Sequence, residues 1–82
     1  IEEAFRLRMQ AIVDRIHTAV ASALRRGQGA GQVRNDVNPE QVAQFFFAGI
    51  EGAYSIAKVK RNAAAFCSNM ALLGRFLDTL RA

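Results

Sequence analysis

A chain of 82 residues is enough for one small domain and not for two, and a domain of that size buries only about 60% of the surface its unfolded chain exposes. At 51% apolar and 22% charged, with one proline and six glycines, the composition is that of a folding chain rather than a disordered or collagen-like one. Eleven Lys and Arg against seven Asp and Glu give a formal net charge of +4, and the single cysteine excludes an internal disulfide, so a reducing, cytoplasmic setting is expected.

The apolar spacing predicts an all-α chain of three helices, with glycine and other breakers only between them. The first runs from about Glu2 to Arg26. Phe5, Met9, Ile12, Ile16, Ala19, Val20, Ala23 and Leu24 share one arc of it, and Arg8, Asp14, Arg15, Thr18 and Arg25 lie opposite, which is an amphipathic helix with one buried side. Gly27, Gly29 and Gly31 are expected to end it. The Ile1-Glu2-Glu3 opening carries no basic-then-apolar leader, so no signal peptide is expected, and the missing initiator methionine suggests a fragment of a longer chain.

A polar connector, Gln28 to Val37, can tuck Val33 and Val37 inward. The second helix, 39–61, starts sharply: Asn38 is a good N-cap, Pro39 suits the first helical position, and Gln41 completes a capping-box pattern. This helix is apolar almost all round. Val42, Phe45, Phe46, Gly49, Ala53 and Ile56 form one stripe, and Ala43, Phe47, Ile50, Tyr54 and Ala57 the next. Such a helix is buried on more than one side. Tight packing within the chain is one way to cover it. A subunit contact is the other, and the pairs Ala48/Gly52 and Gly49/Ala53, each four apart, would let a second helix come close. The stretch from Val42 to Ala57 is interrupted by Gln44, Glu51 and Ser55 and falls short of the roughly 20 apolar residues a bilayer needs, so no membrane partner is expected.

Asn62 can cap a third helix, 63–81, with Phe66, Met70, Leu73, Leu77 and Leu80 as its core stripe and Ala65, Asn69, Leu72 and Phe76 widening the arc. Helices two and three, joined by almost no loop, are expected to form an antiparallel hairpin, and two hairpins from two subunits would make a four-helix bundle. The basic residues cluster at helix ends: Arg25 and Arg26, then Lys58, Lys60 and Arg61, then Arg81. Cations there offset the helix dipole, although a phosphate-binding surface remains an alternative.

Catalytic signals are nearly absent. There is one histidine and one cysteine, with no paired carboxylates at a common site and no glycine-rich phosphate loop, so neither an enzyme nor a cofactor is expected. His17 and a distant Cys67 do not make a metal site, which needs several converging ligands. His17 sits at the rim of the first helix's apolar arc beside Val13, Val20 and Leu24, where packing and ligand contact are both open. Cys67 at the edge of a polar arc could be an inert surface thiol or a redox sensor. Glu51 lies mid-helix in the most apolar segment. Either its line, with Gln44, Ser55 and Lys58, faces water, or Phe47, Glu51 and Tyr54 line a mostly apolar cavity with few polar anchors.

At Gly27-Gln28, Gly31, Val33-Arg34, Asp36, Asn38-Pro39-Glu40, Ala43, Phe45, Ala48 and Glu51-Gly52-Ala53, the sequence resembles the C-terminal domain of TetR-family transcriptional regulators. The run GQGAGQVRNDVNPEQVAQFFFAGIEGAY is similar to the entry into that family's first dimerisation helix, and Ile56 through Phe66, ending FLDTLR, to the second. Asn62-Ala63-Ala64 departs from the Asp-Pro start common there. The resemblance implies an all-helical homodimer, the last two helices forming an intersubunit four-helix bundle, and a cavity for a small effector that shifts the dimer between DNA-competent and DNA-incompetent states. A repressor is the expected form. Operator DNA would be reached only through a helix-turn-helix that these residues do not contain. On this reading the dimer interface takes Phe45, Ala48, Gly49, Gly52, Ser55, Ile56, Leu72, Leu73, Phe76 and Leu80, and the effector pocket takes Met9, His17, Phe47, Glu51 and Tyr54. The competing reading is a free-standing helical interaction module without an effector.

Overall fold

The computed structural model describes residues 2–82 and contains three helices, α1 (Glu3–Gly29), α2 (Pro39–Lys60) and α3 (Ala63–Asp78). Among the described residues there is no strand, only an isolated antiparallel bridge between Val33 and Arg81. The chain is all-α. Among the described residues no helix is long and apolar enough to cross a membrane.

α2 lies between the other two, and α1 and α3 do not touch among the described residues. Phe47 meets His17 edge-on at 5.5 Å and Glu40 pairs with Arg25, so α2 runs against α1. On its other side Phe45 meets Phe76 at 5.1 Å and Gly49 lies under Leu73, so α2 also runs against α3. The result is a slab with extents of 40 × 34 × 14 Å, about one helix thick. A single layer cannot enclose much. The buried hydrophobic side chains are Ala21, Val42, Ala43, Ala53 and Leu80, three of them alanines.

The first helix differs from its expected boundaries for a reason found in the connector. α1 continues past Arg26 through Gly27 to Gly29, and the chain reverses only at Gly31, with φ at +75°. The Gly31 N–H donates to the Gln28 carbonyl at 3.1 Å and the Gln32 N–H to the Gly27 carbonyl at 2.8 Å, the paired bonds of a Schellman end. Gly27 serves packing instead of termination: a Cβ there would lie 2.5 Å from Val33 Cγ2. The Gln28 amide then donates to the carbonyls of Arg34 and Val37, both at 3.0 Å, and holds the connector against the helix end.

α2 begins with the expected N-cap, the Asn38 side chain accepting from the Glu40 and Gln41 N–H groups, while among the described residues no bond from the Asn38 N–H to the Gln41 side chain closes the expected capping box. It ends one residue earlier, at Lys60, in a second Schellman pattern: Arg61 N–H donates to the Lys58 carbonyl and Asn62 N–H to the Ala57 carbonyl. Here the left-handed position is an arginine, Arg61, at φ 50°. Asn62 caps α3 through the Ala65 N–H at 3.2 Å. α3 stops at Asp78 rather than Arg81, because the tail turns back onto the connector. Arg34 N–H donates to the Leu80 carbonyl at 2.8 Å and Ala82 N–H to the Gln32 carbonyl at 3.1 Å, and Leu80 is buried beneath this contact.

The apolar arc expected to bury α1 is also corrected. Val13, His17, Val20, Ala21 and Leu24 turn toward α2, whereas Phe5, Met9, Ile12 and Ile16 stay exposed. α1 has apolar residues on more of its circumference than one neighbour can cover.

Candidate functional site

The residues expected to line an effector pocket fall into three places. His17 and Phe47 meet where α1 crosses α2, both half-buried, with the rings nearly perpendicular at 87°. Edge-to-face contact of this kind is a favourable aromatic arrangement. Beside it is a cleft of about 140 Å³ lined by His17, Thr18, Arg25, Glu40 and Gln44, in which Arg25 and Glu40 are already paired with each other. Met9, 44% exposed, and Glu51, also exposed, lie on open surface, and Glu51 has no ion-pair partner among the described residues. Tyr54, 56% exposed, opens onto a different concavity.

That concavity lies at the turn between α2 and α3 and has a volume of about 640 Å³. Tyr54, Ala57 and Phe66 supply its apolar wall, Lys58 and Arg61 its cationic rim, and Cys67 its lip. Sequence reading took Tyr54 for a pocket and weighed Lys58 and Arg61 separately as a phosphate-binding surface, and it did not bring Ala57, Phe66 or Cys67 to the same place. The available signal was two cations three residues apart at the end of an apolar helix, next to an aromatic on the following helix.

The residues expected to meet a second copy form an open face on α2 and α3. Phe45, Ile56 and Leu72 are 58%, 51% and 59% exposed, and Ala48, Gly52 and Ser55 are exposed with them. A shallow depression between Phe45, Gly49, Leu72, Leu73 and Phe76 runs along this face. Two members are used inside the chain. Leu80, 5% exposed, is covered by the connector, and a Cβ on Gly49 would lie 2.7 Å from Leu73 Cδ2, so this glycine already admits α3. Gly52 differs, because a Cβ there meets nothing within 4 Å.

The electrostatics of the connector are those of a clasp. Arg34 grips Asp36 through Nε at 3.0 Å and Nη2 at 2.5 Å, and Nη1 reaches the Thr79 carbonyl at 3.4 Å. Hydrogen bonding from Arg34 holds the Asp36 carboxyl below its ordinary value, and the guanidinium is raised in turn. Glu3 is lowered in the same way by Arg6. Among the described residues no three His, Cys, Asp or Glu side chains gather as a metal site would require.

No curated protein and no solved structure matches the chain. A family match does exist, and it spans α1, the glycine-rich clasp, α2 and most of α3: residues 1–73 fit the family described as Tetracyclin repressor-like, C-terminal domain. This is the family whose turn and small-residue pattern the sequence resembles, and the chain belongs to it.

Proposed function

We propose that these residues are the effector-sensing and homodimerising part of a TetR-type transcriptional regulator, a repressor whose DNA binding is controlled by a small molecule. The observation that carries the reading is the open face of α2 and α3. A one-layer slab leaves Phe45 and Ile56, about three turns apart on α2, and Leu72 on α3 more than half exposed, with Ala48 and Gly52 exposed between the first two. Contiguous apolar surface of this kind marks an interaction site. A second copy meeting it through the same face would complete a four-helix bundle by isologous contact. Operator contact belongs to a separate helix-turn-helix, and the protein works in the cytoplasm. The family match favours this reading over a free-standing interaction module.

Gly52→Leu tests it. The chain itself leaves room for the added side chain, and leucine is a better helix former than glycine, so the fold is kept while close approach of a partner helix is blocked. Sedimentation over a wide concentration range is expected to show a dimer for the parent protein and a helical monomer for the variant. An unchanged dimer in the variant would remove Gly52 from the interface, and a monomeric parent would remove the bundle altogether.

A further inference from the structure

The geometry points to the concavity at the α2–α3 turn as a binding site for a small amphipathic organic anion, its apolar body against Tyr54, Ala57 and Phe66 and its carboxylate between Lys58 and Arg61. The concavity is wide open to solvent on one side, its volume of about 640 Å³ lies in the range of small-molecule sites, and its lining is apolar with a few polar groups. Charge decides the kind of ligand. Among the described residues neither Lys58 nor Arg61 has an ion-pair partner, no acidic side chain lines the concavity, and the first turn of α3 carries none. The negative end of α2 is quenched locally, because the Ala57 and Lys58 carbonyls accept from Asn62 and Arg61. The positive end of the α3 dipole opens onto the same space through Asn62 and Ala63.

Arg61 adds a second indication. Its left-handed φ of 50° is one that glycine adopts without steric cost, and Gly31 fills the equivalent position after α1. An arginine there places a guanidinium on the rim, where it can hold a carboxylate through two parallel hydrogen bonds. The polar cleft between α1 and α2 has no such excess of charge, since Arg25 is answered by Glu40.

The site needs neither dimer nor DNA, so its test stands apart from the sedimentation experiment. Tyr54 is the only tyrosine in a chain without tryptophan, and Cys67 is the only cysteine, so both report from the site itself. The probes are decanoate below its micelle concentration, decanol as the uncharged analogue, and acetate as the charge without the chain. Decanoate is expected to change tyrosine emission and slow the reaction of Cys67 with a neutral disulfide reagent, binding about tenfold more tightly than decanol, as one charge-assisted contact would give. Acetate is expected to do neither. Lys58→Gln with Arg61→Gln should remove the preference for decanoate at unchanged helicity, and Lys58→Arg with Arg61→Lys should keep it. Equal affinity for decanoate and decanol, or an undiminished preference in the glutamine variant, would overturn the proposal. So would a Cys67 that is unreactive before any ligand is added, which would assign the concavity to a subunit contact.

Discussion

The two ends of α2 are built on opposite plans. At its start, the connector, the end of α1 and the tail after α3 are tied together by backbone bonds, the Gln28 amide and the Arg34–Asp36 clasp, over the buried residues Val42, Ala43 and Leu80. At its other end α2 and α3 are joined by two residues, Val59 is 83% exposed, and the helices open into a concavity rimmed by Lys58 and Arg61, which have no ion-pair partner among the described residues. The same helix is thus anchored at one end and unfilled at the other. In a slab one helix thick, order comes from local polar bonds where the chain can cross over itself, and apolar surface is left bare where it cannot.

Leu80→Ala should separate the two ends most strongly. Removing a buried leucine from the anchored end is expected to cost about 2–5 kcal/mol, read as a lowered denaturant midpoint, while the α2–α3 turn keeps its tyrosine emission. Gly27→Ala comes next. The new Cβ would overlap the stiff Val33 side chain, for an expected loss of about 1–3 kcal/mol despite the gain in helix propensity, and adding Val33→Ala should recover most of it. If Gly27→Ala were stabilising, the connector would not pack as described.

The two left-handed helix ends make a smaller, paired test. Gly31→Ala forces a side chain into that conformation and is expected to cost about 1 kcal/mol, whereas Arg61→Gly relieves the same strain and should be neutral or gain up to about 1 kcal/mol. Opposite signs in thermal unfolding would support the contrast between the ends, and equal signs would break it. The smallest effect is in pH. Because the folded Asp36 carboxyl is held below its ordinary value, its contribution is present above that value and is lost as pH falls through the lowered one. Asp36→Asn should therefore lose that small contribution at neutral pH and match the parent at low pH, which flattens the acid limb of the stability profile. A variant that altered the slope only near neutrality would contradict the clasp.

The sequence by itself determined the three helices, the cap at Asn38, a glycine-built end to the first helix among Gly27, Gly29 and Gly31, and the family, because these depend on spacing of a few residues and on local backbone chemistry. It also showed that α2 has too much apolar surface for one face. It could not show which part of that surface the chain would use. Gly27 reads as a helix stop and is a packing site, Leu80 reads as a helix-face residue and is the plug beneath the connector, and Phe5, Met9 and Ile12 read as core and remain exposed. Periodicity places residues on an arc but does not say what lies opposite it. Only the tertiary structure decided that, among the described residues, α1 and α3 flank α2 without touching, and that Tyr54, Lys58, Arg61 and Phe66 share one concavity. Those facts rest on contacts between helices, and helix direction and crossing are set by the connector clasp and the two-residue turn acting at a distance along the chain.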